Sequence, residues 1–181
     1  MEIRRIVTGQ DARGQAVFVS DSAAPRAAVF KSVPGQAFAQ VWATGPGATL
    51  PQRVGDPTLG GGSLIPGPGG TSLLIVSFPP DAVMADPGFD QAAAGAEMAA
   101  ALPGLIESFE PDHPGMHTTD TVDYGIMLEG ELWLDLGNGE ERQVRAGDVV
   151  IQNGTRHAWR NRSDSPAKIA FVFIGQRRET K

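Results

Sequence analysis

The chain has 181 residues, 41% apolar and 20% charged, which fits one globular domain with a sizeable core and excludes the disordered, collagen-like and membrane-spanning classes. The formal net charge is −6, and Lys and Arg form no stripe that could track phosphates, so nucleic acid is excluded as a partner. There is no cysteine, which removes disulfides, thiolate zinc sites and thiol catalysis together.

The opening MEIRRIVTGQ has no apolar core of a signal peptide, and no later stretch is apolar for long enough to span a bilayer. A cytoplasmic protein is expected. The first third reads as short strands, RRIVTG, QAVFVSD, AAVFKS and AFAQVWATG, separated by polar turns. From Gly45 to Gly70 the chain is dense in Gly and Pro, and irregular structure is expected. No Gly-Lys-Ser/Thr follows, so this is not read as a phosphate loop.

TSLLIVSF is a strand stopped by Pro79 and Pro80, and FDQAAAGAEMAAALPGLIESF holds the one helix, which Pro103-Gly104 should end. Its few large apolar groups place it over another element, either as a packed insertion or as a lid. From Gly115 the strand signal is strongest. DYGIMLEG and ELWLDL meet at a Glu-Gly turn, LGNGEERQV carries an Asn-Gly hairpin signal, and AGDVVIQNGT and KIAFVFIG complete a series typical of a sandwich or barrel. In IAFVFI both alternating faces are apolar, so cover is expected on both sides, from the N-terminal strands, a second subunit, or both.

Only three histidines occur, and two of them stand near these strands. On an extended segment His117 and Thr119 share a face, and a short turn returns Asp123 to the same side. His157 begins another strand directly after a Gly turn. Two imidazoles and one carboxylate from three neighbouring strands can thereby surround one ion in a barrel mouth, or serve as hydrogen-bonded barrel residues without metal. Met127 alternates toward that space and Tyr124 away from it, Trp159 is read as packing or flanking a flat ligand, and His113 lies outside the pattern.

These residues resemble the cupin superfamily. Its first motif, G(x)5HxH(x)3-4E(x)6G, is matched by His117, Thr119, Asp123 and Gly130, and its second, G(x)5PxG(x)2H(x)3N, by Gly147, Gly154, His157 and Asn161. Thr119 replaces the second histidine, Asp123 the glutamate, and Gln152 stands where the proline is usual. The resemblance implies an all-β jelly-roll barrel, a double-stranded β-helix, with extra N-terminal strands and one short helix. Residues 111–176 would form the barrel core, residues 1–110 would pack on it, and 177–181 would be a tail.

Carried over by position, the metal ligands would be His117, Asp123 and His157 on a divalent ion (Fe, Mn or Zn), with Thr119, Met127 and Trp159 lining the substrate pocket. The function implied is a metal-dependent enzyme on a small organic molecule, aromatic or polyketide-like, of oxygenase or decarboxylase type. The alternatives are a non-catalytic small-molecule binder and a metal-free isomerase with His117 as base, Asp123 orienting it and Tyr124 as acid. A homodimer is expected.

Overall fold

A computed structural model describes residues 1–51 and 55–179; residues 52–54 of the Gly/Pro-rich stretch and residues 180–181 of the tail lie outside the described residues. The strands are β1 (Arg4–Gln10), β2 (Ala16–Ala23), β3 (Arg26–Val29), β4 (Ala37–Thr44), β5 (Thr71–Phe78), β6 (Thr121–Glu129), β7 (Glu131–Asp135), β8 (Glu141–Arg145), β9 (Val149–Asn153), β10 (Ala158–Arg160) and β11 (Ala167–Gly175). Two helices, α1 (Ala82–Ala85) and α2 (Gln91–Ala101), lie between β5 and β6. No helix among the described residues is long and apolar enough to cross a membrane.

The strands form a six-stranded sheet in the order β3-β4-β5-β11-β6-β9, a three-stranded sheet β10-β7-β8, and a separate hairpin β1-β2. Strands β3 to β5 therefore belong to the main sheet itself, because β5 runs antiparallel to β11 from Thr71↔Ile174 to Phe78↔Ala167. Among the strands before residue 110, only those of the hairpin β1-β2 lie outside the main sheet. Arg5 of β1 ties that hairpin down, pairing with Asp56 and donating to the Val41 carbonyl at 3.0 Å.

Alternation decides which side of each strand is inside. Met127, Ile169, Phe171 and Phe173 from the large sheet meet Leu132, Val144 and Trp159 from the small sheet in one buried cluster. The expectation of two fully covered faces holds only in part. Ile169 and Phe171 are buried, whereas Val172 and Ile174 on the outward side are half-buried, and on the adjoining strands Tyr124, Ile126, Val149 and Ile151 are exposed. Among the described residues of the single chain no second layer lies over these four side chains.

Gly130 alone links β6 to β7, at φ +73°, and a Cβ there would stand 3.2 Å from the Ala167 Cα, so both backbone geometry and space favour glycine. Helix α2 starts where the Asp90 side chain accepts from Ala93 N–H at 2.9 Å and ends at Leu102, whose N–H still reaches the Met98 carbonyl at 2.8 Å. It covers the barrel as a packed element, with Ala94 and Leu102 buried in the core and Met98, Ala101, Leu105 and Ile106 against it. The Glu97 carboxylate accepts from the Lys31 and Ser32 N–H groups, both at 2.8 Å, and Leu64 N–H donates to the Pro103 carbonyl at 2.8 Å. These bonds hold the cover at the middle of α2 and just beyond its C-terminal end.

Candidate functional site

His117 and His157 are brought together by backbone pairing outside the named strands. Each donates its N–H to the other's carbonyl at 3.0 Å, forming an isolated antiparallel bridge. Residues that exchange both bonds project their side chains to one side, and the two rings lie 4.3 Å apart between centroids. The two histidines singled out by their spacing are thus direct neighbours across this bridge.

Both rings are held by the same local contact. His117 Nδ1 lies 3.1 Å from the Gly115 carbonyl, and His157 Nδ1 lies 2.9 Å from the Thr155 carbonyl. A carbonyl only accepts, so each Nδ1 carries the proton and each Nε2 keeps a free lone pair. Burial lowers the His117 pKa, with the Gly115 bond opposing it; burial, reinforced by His117, lowers His157 to about 4. Both imidazoles are neutral near pH 7 and able to bind a cation or take a proton.

Aromatic groups wall the pair. Phe109, from the segment after α2, stands 4.8 Å from His117, and Trp159 meets His157 edge-on at 6.2 Å while packing on Phe171 at 5.6 Å. Met127 is buried in the core cluster between the sheets. Thr119 is also buried, and its hydroxyl accepts from the Thr121 hydroxyl at 2.7 Å. His113 is exposed and pairs with Glu110 at 3.1 Å, away from the site. Two open surface clefts, one beside Phe89 and Arg162 and one beside Arg5 and Trp42, are lined by neither histidine.

Asp123 is buried on the inner face of β6, but its cross-strand partners are Gln152 of β9 and Phe173 of β11, and it does not close with the histidines. Among the described residues no group of three His, Asp or Glu side chains is placed to hold a metal ion. The donor set therefore fits in part: two imidazoles offer suitable lone pairs, and the carboxylate stands apart. Burial pushes the Asp123 carboxyl up to about 6, against a smaller downward pull from the Thr121 hydroxyl.

The metal-free arrangement is corrected on two counts. Tyr124 is 41% exposed on the outer face of β6, so it is no acid for the chamber. Asp123 does not orient His117, whose Nδ1 is engaged by Gly115. Sequence reasoning also passed over Phe109 and Thr121, and noted Gln152 only as a departure from the motif. Alternation in β9 would have placed Gln152 inside, opposite in facing to Ile151.

Two packed β-sheets with a neutral histidine pair and aromatic rings between them define a β-barrel architecture of the jelly-roll kind. The family model for the Cupin domain matches residues 105–173, and the mostly β architecture is consistent with a jelly roll. Phomopsin biosynthesis cluster protein C' of Diaporthe leptostromiformis is 54% identical over 60 residues, covering 33% of this chain and 32% of that protein. Oryzines biosynthesis cluster protein J of Aspergillus oryzae is 45% identical over 73 residues, 38% of each. The cupin-domain-containing oxidoreductase virC of Hypocrea virens is 48% identical over 62 residues, 33% of this chain and 32% of that protein. The match spans about a third of each of these relatives. A solved RmlC-like cupin of Methanocaldococcus jannaschii, described as a double-stranded β-helix, aligns with a TM-score of 0.38 at 11% identity over 59% of this chain and 71% of its own.

Proposed function

We propose that this chain is a cupin enzyme that transforms a small organic molecule, aromatic or polyketide-like, in the chamber between its sheets. We further propose that His117 and His157 hold a divalent ion, Fe, Mn or Zn, through their Nε2 atoms. The observation that carries this reading is the shared tautomer: both Nδ1 atoms are engaged by backbone carbonyls, so both free lone pairs belong to neutral, buried rings. The oxidoreductase name of relatives such as virC supports the reaction class.

A bound ion would supply Lewis acidity and, as iron, a means of activating oxygen. The chain's own contribution is positioning. The Gly115 and Thr155 carbonyls fix the ring orientations, and burial keeps the rings deprotonated at Nε2. Phe109, Trp159 and Phe171 exclude water and offer flat apolar surfaces to a planar ligand.

Elemental analysis of protein purified without chelator, beside His157→Ala, tests the metal assignment. Stoichiometric metal in the wild type and its loss in the variant are expected. Less than about a tenth of an equivalent after reconstitution with Fe(II), Mn(II) and Zn(II) would overturn it. Oxygen uptake by the loaded protein then separates an oxygenase from a decarboxylase or a non-catalytic binder.

A further inference from the structure

Four buried side-chain atoms among the described residues lack a hydrogen-bond partner: Arg5 Nε, Asp123 Oδ1, Gln152 Nε2 and Trp159 Nε1. Three of the four belong to residues on the inner side of the barrel. An unsatisfied buried polar atom costs about 1–3 kcal/mol, and native proteins retain few of them without a use. Asp123 and Gln152 are 2% and 4% exposed and face each other directly across β6 and β9. Asp123 Oδ1 is an acceptor without a donor, and Gln152 Nε2 is a donor without an acceptor.

The orientation of Gln152 is set from outside the chamber. Thr155 Oγ1 donates to Gln152 Oε1 at 2.6 Å, which occupies the carbonyl end of the amide and leaves the nitrogen as its free end. Proline, the residue usual at this point of the motif, would bring neither group. Two complementary polar atoms on neighbouring strands, with side chains about 5 Å apart at Cβ, form an edge that reads donor and acceptor together.

We infer that Asp123 and Gln152 form a substrate-reading edge, selecting a neutral ligand that presents an O–H or N–H donor beside a carbonyl acceptor. The ligand's donor bonds to Asp123 Oδ1, and its carbonyl accepts from Gln152 Nε2. Trp159 Nε1 offers a further donor to an oxygen-rich ligand. This deepens the proposed function, resting on the chamber as a ligand site, and gives Asp123 a task other than metal ligation, in keeping with its separation from the histidines. Catalysis is not assigned to either residue; they position and discriminate.

The test uses the full chain in EDTA, so that its outcome does not depend on metal, and reads tryptophan fluorescence and saturation-transfer NMR. The probe is 2-pyridone, a rigid ring with N–H beside C=O, against N-methyl-2-pyridone, which keeps only the acceptor. Wild type should prefer 2-pyridone by about tenfold, the equivalent of one good hydrogen bond. Asp123→Leu should abolish that preference, and Gln152→Leu should weaken both probes. Gln152→Glu, which exchanges the donor for an acceptor at constant size, should do the same as Gln152→Leu. Should a variant fail to fold, the side-chain amide resonances of Gln152 in wild type give the same answer, shifting with both probes through their shared carbonyl. Equal binding of the two probes by wild type, no binding at millimolar concentration, an undiminished preference in folded Asp123→Leu, or unmoved Gln152 resonances would overturn the inference. A metal site found by elemental analysis alongside such a failure would leave the proposed function standing and remove only this edge.

Discussion

Removing the buried charge of Asp123 should stabilise the metal-free protein at neutral pH and alter its pH dependence. The folded carboxyl titrates at about 6 against an ordinary 3.8, so between those values the folded state binds the proton that the unfolded state has lost. Its contribution to stability is complete below about pH 4 and is lost as pH rises through 6. At about 1.4 kcal/mol for each tenfold in proton affinity, the loss is about 3 kcal/mol. His157 works in the opposite sense. Its folded pKa is lowered from 6.5 to about 4, so its contribution is present above 6.5 and lost as pH falls toward 4. In wild type the two slopes oppose each other between pH 4 and 6.

Asp123→Asn keeps the shape and removes the titration. Urea and thermal melts in EDTA should find it equal to wild type near pH 4 and more stable at pH 8 by up to about 3 kcal/mol, roughly 6–12 °C in Tm for a chain of this size. The variant's stability should also climb between pH 4 and 6.5, where the wild-type curve is flatter, because the His157 slope is no longer opposed. A variant equally or less stable than wild type at pH 8 would refute the reasoning, since it would mean that the carboxylate has a compensating charge partner.

Gly104 lies at φ +82° and a Cβ there would fall 1.8 Å from Ser63 Oγ and 2.6 Å from Ser63 Cβ, so Gly104→Ala should destabilise by about 2 kcal/mol or more in a urea melt and loosen the segment after α2. Glu97→Gln should leave the global melt little changed but speed chymotrypsin cleavage around α2, because the carboxylate that receives the Lys31 and Ser32 N–H groups loses its charge. A second copy of the chain is expected over the apolar outer face, where Tyr124 pairs with Ile151 and Ile126 with Val149. Light scattering should report a dimer for wild type and a monomer for Ile151→Lys; a monomeric wild type at micromolar concentration would contradict this.

Much of the barrel was legible in the sequence because its signals are local. Period-two alternation in residues 121–129 places Met127 inside and Tyr124 outside without knowledge of any other strand, and Gly130 and the Pro103-Gly104 step mark their own turns. The spacing also brought His117 and His157 into one chamber. What it could not supply was the register between distant segments. Alternation fixes the side of a strand on which a residue lies, but not which residue of a neighbouring strand faces it; that depends on how the whole sheet packs. The pairing of His117 with His157 through their own backbones, and of Asp123 with Gln152, is a register outcome, and it separates the carboxylate from the two imidazoles. The unpartnered atoms on Asp123 and Gln152 are a tertiary result for the same reason, since a polar group has no satisfied or unsatisfied state until the strands around it have closed.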